Sequence, residues 1–252
     1  MAGASLIPDY YKEKMNAVFF LAPPAALSNN KVKVINLMAI KANRRLITTT
    51  LDTIHMWNLL PYNFATTGVA TAVCKLFDGK LCNMIMSLFL DEDPDIDYTD
   101  RYDVYTSNLP AGASYLNYLH YGQLVNSKEE VFRRLDMETK KKNKKKYGQD
   151  TPPDYDLSLL DFPIAIFSGE KDLLADPTDV KWTSEQLANI TVFNHEYYLG
   201  HMSFLIAKDM SYFDVDLMAV LNHYNEKCDP STLNSNFTEG NDKCREQLGF
   251  IY

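Results

Sequence analysis

An α/β fold is predicted for this chain of 252 residues, and three observations predict it. Short apolar stretches of strand character stand at residues 16–21, 163–167 and 190–194, each followed by a loop. A helical stretch at 178–187 separates the last two, an order that produces a parallel crossover, right-handed by rule. Between the first and second strands lies a long block, 28–127, read as several helical stretches rich in Leu, Met, Tyr and Phe. The expected architecture is a few parallel strands with flanking helices plus a mostly helical insertion.

In chain order, residues 4–15 read as a helix leading into the strand at 16–21, which ends at Ala22-Pro23-Pro24. This is the second half of a βαβ unit. The helical block is interrupted by the acidic turn Asp91-Glu92-Asp93-Pro94-Asp95. Residues 140–146 hold six lysines around Asn143 and run into Tyr147-Gly148 and Pro152-Pro153. They read as a solvated helix end, with attachment to an anionic membrane surface as the sharper alternative. Pro163-Ile164-Ala165-Ile166-Phe167 has the unbroken apolar character of a parallel strand covered on both faces. A last helix is expected at 212–224, followed by a loose Asn/Ser/Thr-rich tail. The predicted division is therefore 1–27 (core helix and strand), 28–127 (helical insertion), 128–225 (core) and 226–252 (tail), with no internal repeat.

A composition of 46% hydrophobic and 23% charged residues is that of a globular protein able to bury one core. The net charge of −8 argues against general nucleic-acid binding and suits an acidic compartment. No transmembrane span is expected, because the apolar run at 17–27 is about half the length a bilayer requires and is broken by Pro23 and Pro24. Nor does the start read as a signal peptide, since Asp9, Lys12, Glu13 and Lys14 interrupt the approach to that run. The cysteines form two local pairs, Cys74 with Cys82 and Cys228 with Cys244, neither with the spacing of a zinc or redox site. Short-loop disulfides and buried reduced thiols both fit. The sequons Asn189-Ile190-Thr191 and Asn236-Phe237-Thr238 favour N-glycosylation and the secretory pathway.

Asp172 and His201 are the candidates to carry chemistry. Each follows a strand by a few residues, and in open parallel sheets the loops at the carboxyl ends of neighbouring strands meet in one crevice. A carboxylate that accepts from one imidazole nitrogen sets the tautomer, so the other nitrogen can take a proton from a hydroxyl nucleophile. The plainer alternative is an Asp acting as a turn former and a His that is merely exposed.

The segment Gly169-Glu170-Lys171-Asp172-Leu173-Leu174-Ala175-Asp176-Pro177 resembles the G-x-x-D-x-L-A-D-P motif of the acid lipase family, which includes gastric and lysosomal lipases. Phe20-Leu21-Ala22-Pro23 resembles that family's A-L-A-P strand end. Arg101-Tyr102-Asp103-Val104-Tyr105, Pro110-Ala111-Gly112-Ala113-Ser114, His120 and Gln123 then follow in the family's order, as do Tyr147-Gly148 and Pro152-Pro153-Asp154-Tyr155. The resemblance runs from residue 1 to about 225. It implies a partial α/β-hydrolase fold, with Asp172 as the triad acid, His201 as the general base and residues 28–127 as a cap over an acyl-binding crevice. It also implies a cap disulfide near Cys74 and Cys82, a neutral lipid ester as substrate, no cofactor, and a lysosomal or secreted location.

The G-x-S-x-G nucleophile elbow does not occur in the sequence. Gly3-Ala4-Ser5 and Gly112-Ala113-Ser114 each begin one, but Ile7 and Leu116 stand where the second glycine belongs. Ser5 and Ser114 are therefore read as structural. The expectation is a chain truncated to the family's C-terminal two thirds, inactive as it stands and poorly soluble, because its first strand would expose an apolar edge. The alternative is a non-catalytic lipase-like subunit in binding or assembly, that edge covered by a protein partner. A metal hydrolase built on His195, Glu196 and His201 ranks below both, since helical HExxH spacing is absent.

Overall fold

The computed structural model describes residues 1–59, 61–63, 67–69, 71–72, 80–81, 84, 87, 91, 93–105 and 111–224. Cys74, Cys82, Cys228, Cys244 and Asn236 lie outside them, as does the tail at 226–252. The chain opens with α1 (Ala2–Leu6) and α2 (Pro8–Lys14), then β1 (Val18–Leu21). A single helix over 4–15 was expected. Pro8 divides it, because proline has no N–H to donate and its ring crowds the preceding turn, so it serves instead as the first residue of α2.

Next come α3 (Lys33–Ala39), α4 (Lys41–Thr53) and β2 (Asn58–Leu59). Further on are α5 (Tyr102–Tyr105), β3 (Ala113–Ser114) and α6 (Tyr115–Val125). The two short strands pair antiparallel, Asn58 with Ser114 and Leu59 with Ala113, a feature that the helical reading of this block did not include. Leu27, Ala39, Leu124 and Val125 form a small core where α3 meets α6. The lysine run is α7 (Lys140–Tyr147), started by the Thr139 hydroxyl, which accepts from the Lys142 N–H, and ended by Gly148 at φ 77°. Its six lysines are exposed. Asn143 turns inward, where it bonds Met137 N, Asp136 and the Asp150 carbonyl, and Tyr147 is half-buried with its hydroxyl donating to the Leu135 carbonyl.

The core of the molecule is β4 (Ile164–Gly169), α8 (Pro177–Gln186) and β5 (Thr191–Tyr197). After them come α9 (Ser203–Ile206), a π-helical turn (Tyr212–Leu217) and α10 (Met218–Tyr224). The sheet is parallel in the order β1-β4-β5, with Val18 opposite Ile164 and Phe167 opposite both Leu21 and His195. All of β4 is buried, as expected for a strand covered on both faces. Alternation assigns its side chains to opposite sides. Ile164 and Ile166 pack with Val18, Phe20, Val180 and Leu187 on the face covered by α1, α2 and α8. Ala165 and Phe167 pack with Phe19, Leu21, Phe204, Tyr212 and Val220 on the other. Each fully buried side chain of this size contributes about 1.5–3 kcal/mol.

Both later strands run past their apolar stretches. Ser168 and Gly169 pair with Glu196 and Tyr197, so backbone pairing rather than side-chain character carries the sheet toward its exit loops. The partial α/β fold is that of the sequence reading.

Candidate functional site

The site is built where the exit loops of the three parallel strands meet. Asp176 caps α8 by accepting from the Thr178 N–H, and Pro177 takes the first helical position. This fixes the end of the loop that leaves β4. Asp172 stands within that loop, its carboxylate wholly buried. Its Oδ1 accepts from the N–H groups of Leu174 and Ala175 at 2.8 and 2.7 Å, which folds the loop around the side chain. Oδ2 is left to face the next strand's loop.

There, His201 Nδ1 lies 3.0 Å from Asp172 Oδ2, and the imidazole is one-quarter exposed. The two loops are joined directly. Glu170 N–H donates to the Tyr197 carbonyl at 2.8 Å and Lys171 N–H to the Leu199 carbonyl at 3.0 Å. Gly169 permits this approach, since a Cβ there would lie 2.3 Å from the Leu199 carbonyl oxygen. The Ser203 hydroxyl accepts from the Gly200 N–H at 3.0 Å and so begins α9 immediately beyond His201.

The loop that leaves β1 supports the same corner. Lys31 N–H donates to the Leu173 carbonyl, the Asn30 side chain donates to the Leu174 carbonyl, and Lys31 Nζ pairs with Asp176 at 2.5 Å. Asp179, buried on α8, accepts from Ser28 Oγ and from the backbone and side chain of Asn29. Burial raises the Asp176 carboxyl, but Lys31 and the cap hydrogen bond outweigh it, and the result lies below the usual carboxylate range.

Electrostatics divide the pair's roles. Burial pushes the Asp172 carboxyl above its ordinary range, against the pull of the His201 hydrogen bond. For His201 burial works downward. The Asp172 carboxylate overcomes it, Asp91 adds in the same direction, and the imidazole is raised. With Nδ1–H directed at a carboxylate, Nε2 is the nitrogen that can exchange a proton with a third group.

The other residues singled out in the sequence stand apart from this pair. Ser5 is buried in α1 and its Oγ donates to the Ala2 carbonyl, while Ser114 caps α6 by accepting from the Leu116 N–H. His120 Nε2 contacts the Arg133 carbonyl at 2.6 Å, and Gln123 bridges the Asp136 backbone in both directions. His120 and Gln123 line an open cavity of about 730 Å³ with Arg44, Arg133 and Glu138, a cavity to which neither Asp172 nor His201 contributes. His195 rests edge-on against Tyr197, ring centroids 4.6 Å apart. Among the described residues no group of three or more His, Cys, Asp or Glu is placed to hold a metal ion. Asn189 is exposed in the turn after α8.

Sequence reasoning missed the supports of the site. Asp91 accepts from His201 N–H across 110 residues, and Asp179 holds Asn29 across 150. No local pattern announces pairings at such separation.

No family model matches the chain. It is 33% identical over 152 residues to gastric triacylglycerol lipase of Rattus norvegicus, covering 60% of this chain and 38% of that protein. To the Homo sapiens gastric triacylglycerol lipase it is 35% identical over 150 residues, 59% of this chain and 37% of the relative. Lipase member K of Mus musculus matches over 201 residues at 31% identity, 78% of this chain and 48% of the relative. The chain thus spans less than half the length of these curated relatives. Identity of 31–35% over these stretches, on a parallel sheet with flanking helices, supports an acid lipase family for this chain.

Proposed function

We propose that this chain carries the acid and base of a lipase-like ester hydrolase, acting by acyl transfer through a serine ester. Asp172 orients His201. Nε2 takes the proton of a serine hydroxyl during attack, gives it to the departing alcohol, then repeats the cycle with water. The observation that carries this reading is the 3.0 Å contact between His201 Nδ1 and a buried carboxylate at adjacent parallel-strand ends, in the order acid then base. The nucleophile, in a G-x-S-x-G elbow, is supplied by polypeptide outside these 252 residues, so that the chain by itself does not turn over esters. Triacylglycerols or steryl esters are the substrates, in keeping with the relatives named as triacylglycerol lipases.

The finer assignments follow the same reading. Residues 1–27 and 128–225 make the hydrolase core, and residues 28–127 cap the acyl-binding crevice. Secreted or lysosomal residence, with glycans at Asn189 and Asn236, suits the gastric relatives. No described helix is long and apolar enough to cross a membrane.

A second reading, a non-catalytic subunit that binds or assembles with another polypeptide, is favoured by one observation. Among the described residues β1 pairs with β4 alone, which leaves its other edge as a template for a further strand.

Sequencing the transcript across its 5′ end and assaying the complete product on triolein and cholesteryl oleate tests both. An in-frame serine elbow, with turnover reduced roughly 10⁴-fold by Asp172→Asn, is the expected result. A transcript that starts at Met1, or full turnover without His201, would sink the hydrolase reading, and a stable complex with another polypeptide would favour the second.

A further inference from the structure

The acidic turn contributes one carboxylate to the loops of the Asp172–His201 pair. Asp91 Oδ2 accepts from the Leu173 N–H at 2.8 Å and from the His201 N–H at 2.8 Å. One acceptor atom therefore joins the residue that follows Asp172 to the histidine itself. Asp91 Oδ1 is also buried and has no hydrogen-bond partner among the described residues. Gly200 makes room for it, since a Cβ there would lie 3.0 Å from both Oδ1 and the Asp91 carbonyl oxygen.

Asp91 is held in place by chain that runs beside α9. Asp97 bridges antiparallel to Ala207 through Tyr98 N–H to the Ile206 carbonyl and Lys208 N–H to the Ile96 carbonyl, 2.8 Å each. Lys208 Nζ reaches the Pro94 carbonyl, and Asp97 accepts from the Asp93 N–H. The turn is thus fastened to the helix that begins just after His201.

We propose that Asp91 is a positioning residue, whose carboxylate staples the two loops and so keeps Asp172 and His201 within hydrogen-bond reach. Direct bonds at Glu170 and Lys171 join the loops upstream of Asp172. Asp91 is the contact that reaches His201's own backbone, where the direct bonds do not. Its consequence for catalysis rests on the acid–base reading of the pair, but the staple can be measured without turnover. The charge has a separate effect. Among the described residues Asp172 and Asp91 are the ionisable groups that act on the imidazole, and both favour its charged form.

The test uses the full chain with Asp91→Asn and Asp91→Ala, read by amide hydrogen exchange and by NMR titration of the His201 ring. Asn keeps an oxygen that can accept both N–H groups but removes the charge. It should leave the Leu173 and His201 amides protected while the His201 midpoint falls. Ala removes the acceptor as well, so both amides should exchange roughly tenfold faster or more, the factor expected on losing a bond to a charged acceptor. Unchanged protection in Asp91→Ala overturns the staple, and an unchanged midpoint in Asp91→Asn overturns the charge effect. Should Asp91→Ala not fold, Gly200→Ala, which presses on the same carboxylate, replaces it with the same expected loss of protection. In the complete gene product, Asp91→Ala should lower kcat about 10²-fold while KM holds. Absence of ester hydrolysis by that product with Asp91 intact would refute the hydrolase reading and leave the exchange and titration results standing.

Discussion

Gly169→Ala tests whether the crossing of the two exit loops is as tight as the site requires. Gly169 is not among the glycines with positive φ, so alanine meets no backbone penalty there and the cost is steric. Its Cβ would sit 2.3 Å from the Leu199 carbonyl oxygen and 3.1 Å from the carbonyl carbon. The carbonyl must recede by about 0.7 Å to reach even 3.0 Å, a separation below which Cβ contacts essentially never occur. That carbonyl accepts the Lys171 N–H at 3.0 Å, and the contact would stretch out of range. Overpacking of this kind costs about 1–3 kcal/mol and the lost hydrogen bond about 1 more. A fall in Tm of roughly 5–15 °C follows for a domain of this size. Leu199 lies two residues before His201, so the imidazole is carried with it. Thermal melts followed by circular dichroism, with His201 ring titration by NMR, make the assay. A Tm within about 2 °C of the parent, less than 1 kcal/mol, together with an unaltered titration, would refute the close crossing.

Three further outcomes are expected. Asp172→Asn removes the carboxylate that raises the His201 imidazole and leaves burial, which lowers it, so the ring's midpoint should fall; a midpoint at or above the parent's contradicts the pair. Asp176 titrates below its ordinary value, so its pairing with Lys31 contributes stability above the unfolded carboxyl's pKa and loses it as pH falls through the lower native value. In urea melts Lys31→Met should therefore cost stability at neutral pH, with the gap from the parent closing below about pH 3.8; a gap constant with pH argues against this. Expression through a secretory pathway should attach a glycan to the exposed Asn189, and Asn189→Gln should remove that mass in a gel shift, whereas equal mobility with and without the substitution would show the sequon unused.

Much of the fold was legible because it is written locally. Short apolar runs specify the strands, and the helical stretch read at 178–187 matches α8 (Pro177–Gln186) to within a residue at each end. The Asp172–His201 pairing could be argued from sequence because the rule that loops meet at the carboxyl ends of parallel strands turns an order of elements into a location. The break at Ile7 was equally local but was overlooked, since Pro8 lies inside an otherwise helical pattern.

What the sequence by itself determined is the class of fold, the order of its elements and the two residues that could trade a proton. Tertiary structure alone decided whether those residues touch and what holds them. The 3.0 Å contact, the glycine crossings at 169 and 200, and the carboxylate of Asp91 depend on groups 29 to 110 positions apart. Strand and helix preferences act over a few residues, so they are readable along the chain. A hydrogen bond between distant loops depends on where the whole sheet places their ends, and that is settled only when both faces of β4 are packed.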